Sequence, residues 1–391
     1  MPDTMEDPTR FQSLMRGWRH DLHRHPELGF DLPRTAGFVA ETLRGFGLSV
    51  EEGIGGTGVV GVLRRGNGPS IGLRADMDAL AIQEENGFDH ASTVPGRMHA
   101  CGHDGHTAML LGAAKRLSEE GGFDGEVVFI FQPAEEHGLG AKAMMADGLF
   151  ERFPVRSIFA LHNMPSLPTG HVAVRPGPIM ACEDNFEIVV QGRGGHAALP
   201  HMTVDPIVTG SEIVLALQTL ASRHLDPLEP CVLSVTDFDV AATRNVIPDK
   251  VVLRGDVRAF TSQQQSAIEA GMRRIAAAIA EAHGATATVS YSHEFAATIN
   301  APEEAAQLAE SAVHHLGADQ VNQDCRPVMA SEDFGFMLRE KPGCYFLLGN
   351  GGTGPGGCGL HSPNYDFNDA ILTVGSGLWV RLVRDILPTG E

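Results

Sequence analysis

Glu126-Val127-Val128-Phe129-Ile130-Phe131-Gln132-Pro133-Ala134-Glu135-Glu136 sets an unbroken apolar run against a turn that carries two acids. A run without alternation is the mark of a strand buried on both faces of a sheet. The same arrangement recurs on either side. Upstream, Ile71-Gly72-Leu73-Arg74-Ala75-Asp76-Met77-Asp78 closes on two acids; downstream, Ser157-Ile158-Phe159-Ala160-Leu161 closes on His162-Asn163-Met164-Pro165. Helices are predicted between these strands, an amphipathic one at 107–120 and another at 141–150. Ligands of open α/β sheets bind beyond the ends of the strands, so the pattern predicts an α/β fold with a site at one end of a sheet.

Working outward, residues 11–25 read as a helix stopped by Pro26, and 48–63 and 70–73 as strands parted by glycine turns. The character changes near Cys182. Residues 185–191 alternate like a half-exposed strand, and Gly192-Arg193-Gly194-Gly195-His196 is a turn. A helix at 205–223, strands at 232–238 and 250–258, a helix at 262–283 and a strand at 287–291 follow. This predicts a two-domain chain. A discontinuous α/β catalytic domain, residues 1–180 and 296–391, is interrupted by a smaller α+β domain at 181–295. The returning segment has a helix at 302–316, a strand at 345–348, a Gly-rich loop at 349–359 and a last helix at 369–386. That loop lacks the Lys-Ser/Thr ending of a phosphate-binding loop and reads as a mobile loop of the site.

A chain of 391 residues exceeds what one core usually serves, in keeping with two domains. The formal net charge of −20 repels nucleic acid and anionic membranes, and both are set aside as partners. Residues 1–12 lack the basic start and apolar run of a signal peptide, and no stretch approaches the roughly 18 apolar residues of a membrane helix. The six cysteines show no disulfide-framework spacing, so a reduced, cytoplasmic setting is expected.

The chemistry centres on Met98-His99-Ala100-Cys101-Gly102-His103-Asp104-Gly105-His106. A thiolate and an imidazole two residues apart suit zinc or a related first-row ion. Candidate ligands stand at four separate places: Cys101 with His103, Glu136, His162 and His361. Five donors of mixed sulfur, nitrogen and oxygen are too many for one tetrahedral ion, but two ions sharing a bridging ligand would use them all. Adjacent acids diverge from an extended strand, so of Glu135 and Glu136 one is expected to hold metal while the other reaches a water.

Taken with Asp21-Leu22-His23-Arg24-His25-Pro26-Glu27-Leu28-Gly29, Gly192-Arg193-Gly194-Gly195-His196-Ala197 and Ser331-Glu332-Asp333-Phe334, these motifs run nearly end to end. The chain resembles the M20 metallopeptidase family, specifically its amidohydrolase branch of hippurate, auxin-conjugate and N-acyl-amino acid hydrolases. The resemblance implies Cys101 as bridging ligand, His103, Glu136, His162 and His361 as the other ligands, and Glu135 as general base. It implies two divalent ions per subunit, whether manganese, zinc, cobalt or nickel. Where other branches carry a histidine ligand this chain has Asp76, and Asp78 is implied as a support behind the ligands. The 181–295 domain is implied to be a lid that also mediates a homodimer. His196 is implied to hold the oxyanion, and Asn245 and Arg258 to hold the substrate, a small N-acyl amino acid. His23, His25, His99 and His106 read as structural. The alternatives are a dipeptidase or aminopeptidase of the same superfamily, and a non-catalytic metal-binding protein on the same fold.

Overall fold

The computed structural model describes residues 8–354 and 356–390. The first seven residues of the polar N-terminal stretch, and Pro355 of the Gly-rich loop, lie outside the described residues. The described residues form two compact units. The larger comprises the described parts of 1–179, 299–326 and 333–391; the smaller comprises Met180–Thr298 and Pro327–Glu332.

The larger unit is built on an eight-stranded sheet in the order Ser49–Ile54, Gly58–Arg65, Gly125–Gln132, Ser70–Asp76, Ser157–Pro165, Gly343–Gly351, Val172–Ala173 and Val321–Asn322. The four strands Gly125–Gln132, Ser70–Asp76, Ser157–Pro165 and Gly343–Gly351 are mutually parallel neighbours. Their apolar runs are continuous because helices cover both faces; Val127, Val128, Phe129 and Phe131 have no exposed surface. Parallel strands bring their carboxyl ends to one edge, which places the turns after Asp76 and Gln132 together.

Two expectations need correction here. The helix His103–Glu120 is not amphipathic: residues 103–114 are all buried, because it packs on the sheet and is covered by the helices Pro8–Arg24 and Leu372–Ile386. The helix expected at 141–150 is two, Gly140–Ala146 and Leu149–Arg152. A further helix, Pro33–Gly45, escaped the sequence reading although Pro33 at its start and buried Ala36, Val39, Ala40 and Leu43 carry the signal.

The smaller unit is a four-stranded antiparallel sheet, ordered Val232–Asp239, Lys250–Arg258, Glu183–Gln191 and Thr286–Phe295. Val251, Leu253 and Val257 alternate inward and pack with Ile213 and Leu217 of the helix Pro206–Thr219 and Ile268 and Met272 of the helix Ser262–Ala282. Asp205 caps the first helix and a Thr261–Gln264 capping box opens the second, each contributing about 1 kcal/mol. Residues 327–332, left with the larger domain by the sequence reading, group here: the Ala181 N–H donates to Val328 O and Ala330 O, and Ser331 Oγ donates to Glu183. Among the described residues no helix is long and apolar enough to cross a membrane.

Candidate metal centre

The site is assembled in the larger unit, at the carboxyl edge of its parallel strands. His103 is the first residue of the helix His103–Glu120, which starts one turn earlier than the sequence pattern suggests. Gly102 before it has φ +94°, and a Cβ there would fall 2.2 Å from Asn163 Oδ1 and 2.7 Å from Tyr365 Oη. Only a residue without a side chain turns here, and the turn brings Cys101 and His103 to one point. His162 reaches the same point from within its strand, which runs on to Pro165 by pairing with Gly343–Gly351 rather than ending at Leu161.

All five predicted ligands meet. Cys101, His103 and His162 offer donor atoms that lie within 4.8 Å of one another; so do Cys101, Glu136 and His361. Cys101 belongs to both sets. Its Sγ is 3.2 Å from His162 Nε2, and Glu136 Oε2 is 3.5 Å from His361 Nε2. His103 Nδ1–H donates to Asp78 O at 2.8 Å and His162 Nδ1–H to Asn163 O at 2.6 Å. Each ring is thereby set with Nε2 toward the cluster. His361 is the most exposed donor; its backbone N–H donates to Ala100 O at 2.8 Å, and its φ is +62°.

Glu135 and Glu136 do not leave an extended strand. They sit in a turn whose preceding residue, Ala134, has φ +52°, and both reach His103 Nε2, at 3.9 and 3.8 Å. The Asp78 carboxylate holds that turn, accepting the Glu135 N–H at 3.0 Å and the Glu136 N–H at 3.3 Å. A left-handed non-glycine residue costs on the order of 1–3 kcal/mol and persists only where its surroundings enforce it.

His103 Nε2 and Glu136 Oε1 are buried with no hydrogen-bond partner among the described residues. Orphaned buried polar atoms are rare. Two of them beside a thiol and a second imidazole make a donor set that fits a first-row divalent ion. The charges agree. Burial, with Glu136 and Glu135 adding to it, pushes the Cys101 thiol well above its usual range, and burial also raises Glu136. Burial lowers His103, but Asp76, Asp78 and Glu136 outweigh it and lift its pKa to about 10. Burial and the neighbouring His106 hold His162 far below the usual imidazole range. A divalent cation favours the thiolate and carboxylate forms of the first two and displaces the proton of the third.

Three predicted residues lie in the smaller unit. His196, exposed, pairs with Val246, and its Nδ1 accepts the Ala198 N–H at 3.1 Å. Asn245, also exposed, accepts the Ala197 N–H at its backbone O and the Thr243 Oγ1–H at its side-chain Oδ1. Arg258 is engaged on every side: Nε on Asp256 at 2.9 Å, Nη2 on Glu183 at 2.8 Å and Nη1 on Ser331 Oγ at 3.0 Å. It is not a free carboxylate clamp in this arrangement.

The sequence reading missed the charged layer beneath the donors. Arg74, fully buried, binds Asp76 at 2.8 Å and Asp333 at 3.0 Å; Asp76 in turn accepts His106 Nδ1–H at 2.6 Å and lies 3.8 Å from His103 Nε2. An arginine inside an apolar strand was the available signal, since such a charge is buried only when paired. The motif around His23 serves a similar purpose. His23 Nδ1–H donates to Asp104 at 2.8 Å, and although burial lowers it, Asp104 and Glu84 raise its pKa to about 9.

Residues 72–385 match the model of peptidase family M20/M25/M40. The chain is similar to the hippurate hydrolase of Campylobacter jejuni, 39% identical over 99% of each chain. It is similar to the IAA-amino acid hydrolase ILR1-like 4 of Arabidopsis thaliana, 39% identical over 96% of this chain and 86% of the relative. Among solved structures it resembles the YXEP protein of Bacillus subtilis, a dinuclear metal-binding peptidase of the M20 family. The TM-score is 0.83 at 33% identity, over 97% of this chain and 99% of the other. The chain belongs to the peptidase family M20/M25/M40 and is a metal-dependent amidohydrolase.

Proposed function

We propose that the chain hydrolyses the amide bond of N-acyl amino acids, releasing a carboxylic acid and a free amino acid. The observation that carries this reading is a thiol shared by two donor sets, with a further acid, Glu135, beside them and in neither. Cys101 would bridge two divalent ions, with His103 and His162 completing one side and Glu136 and His361 the other. Ions so held supply Lewis acidity toward a carbonyl and bring the pKa of water down toward 7. Glu135, anchored at its backbone by Asp78, takes a proton from water at its carboxylate and passes it to the departing nitrogen.

From the smaller unit, His196 is assigned the hydrogen bond to the carbonyl oxygen as it gains charge. Its geometry supports a donor: Ala198 N–H occupies Nδ1, so the proton of the neutral ring is on Nε2. Asn245 is assigned to the substrate. A substrate carboxylate would reach Arg258 only in exchange for Glu183 or Asp256. The exposed Met202, Val208, Leu215 and Leu228 support a second copy of the chain as the partner of this unit. Six free cysteines suit a reducing compartment, and we assign the cytoplasm.

Chelation followed by re-addition of single metals tests the reading, against N-acetyl, N-benzoyl and indole-acetyl amino acids with a free dipeptide as control. Amide cleavage should disappear on chelation and return with one of manganese, zinc, cobalt or nickel. Cleavage of the dipeptide alone would overturn it. His196→Ala should lower kcat by about 10²–10³-fold, the loss of one oxyanion donor, while metal content stays at the parent level. Equal loss of metal and turnover would make His196 a support of the cluster instead.

A further inference from the structure

We infer that Asp333 is a positioning residue for the hydrolysis: one buried carboxylate closes both ends of the loop that carries Glu135 and Glu136. The inference rests on the proposed role of Glu135 in proton transfer.

Asp333 has no exposed surface. Its Oδ1 accepts Gln132 Nε2 at 2.7 Å and Arg74 Nη2 at 3.0 Å, and its Oδ2 accepts the Ala141 backbone N–H at 2.9 Å. Gln132 is the last residue of the strand Gly125–Gln132, and Ala141 is the second residue of the helix Gly140–Ala146. The loop 133–140 lies between these two anchors. Its ends are in contact: a Cβ at Gly140 would stand 1.6 Å from Pro133 O.

The middle of the loop is tied separately, by Asp78 to the amides of Glu135 and Glu136 and by Gly29 O to the amide of Ala134. Ala134 is held at φ +52°, a conformation the chain leaves when released. Asp333 thus acts through the loop on where the Glu135 carboxylate stands, and its own carboxylate lies within 4.8 Å of it. Asparagine at 333 keeps the size but replaces one acceptor oxygen with a donor. Gln132 Nε2 reaches both oxygens, at 2.7 and 2.9 Å, and the Arg74 guanidinium keeps oxygen at the Oδ1 position, so the new amide N–H faces the Ala141 N–H and that end of the loop is let go.

The test compares Asp333→Asn, Glu135→Gln and the double variant as metal-saturated enzymes. Asp333→Asn should lower kcat by about 10–100-fold with KM unchanged, the usual effect of a lost outer support. Amide hydrogen exchange should quicken in 133–141 while 157–165 and 343–351 stay as in the parent. The double variant should turn over no more slowly than Glu135→Gln alone, because Asp333 acts through that residue. Parental kcat, multiplying losses in the double variant, or exchange that rises uniformly across the sheet would each overturn the inference. If Asp333→Asn does not fold, Gln132→Met releases the first anchor while sparing the Arg74–Asp333 pair, and is judged by the same criteria. Parental turnover in Glu135→Gln would sink the proton-transfer role, and selective exchange in 133–141 would still decide whether Asp333 holds the loop.

Discussion

Glu135→Gln should keep its divalent ions and lose about 10²–10⁴-fold in kcat, the range that a positioned acid–base group contributes. The carboxylate stands outside both donor sets that share Cys101, so its replacement by an isosteric amide removes no donor from either. The amide cannot take a proton from water, and it has none of the right acidity for the departing amine. The turn itself should survive, because Asp78 grips the backbone N–H of residue 135 and not its side chain. Metal content by elemental analysis and steady-state kinetics on a cleaved N-acyl amino acid give the result. Retained metal with near-parental kcat would remove Glu135 from the proton path.

Gly102→Ala should lose both metal and stability. The new Cβ would meet Asn163 Oδ1 and Tyr365 Oη in a buried wall, where Asn163 Nδ2 donates to Tyr365 Oη and Asn163 Oδ1 is bonded to His106 Nε2. Overpacking of this kind costs on the order of 1–3 kcal/mol. The backbone at φ +94° adds a comparable amount, on the order of 1–3 kcal/mol, for any residue but glycine. Relief can come only from moving the segment that joins Cys101 to His103, which separates two donors of one set. Thermal unfolding with and without added metal, together with metal content, measures both losses. An alanine variant that binds metal and melts like the parent would show that the turn has room the geometry denies it.

Much of this was legible in the chain. The core was readable because its buried strands leave no polar face, and the donors because Glu136 and His162 follow two of those apolar runs while Cys101 and His103 stand together in one glycine-punctuated stretch. The charged layer beneath was not. Arg74 and Asp76 stand in a run the sequence marks as buried, but nothing in the sequence pairs them with Asp333, 259 residues beyond Arg74, and only the fold shows one guanidinium held by two carboxylates out of contact with water. Nor does a pattern of residue types reveal that Ala134 is left-handed, which is what lets two adjacent acids face one cluster. Arg258 is the opposite case. The motif marks it as a recognition group, but the partners it finds are the protein's own acids.

The strand Gly343–Gly351 lies inside the large sheet, between strands made from residues 157–165 and 172–173. Cys101 and His361 are separated by about 260 residues of chain. At the roughly 5–20 residues per second of protein synthesis, about 13–50 s pass between the emergence of one and the other. During that interval the inserted unit, whose own sheet is complete by Phe295, has all the strands it requires to fold. The larger unit meanwhile waits with a gap in its middle. Cys101, His103 and His162 have all been made by then, whereas the set that includes His361 has not. Maturation therefore has a direction written into the order of the chain, and a ribosome that stalls after residue 300 would leave an open sheet edge and a cluster lacking His361.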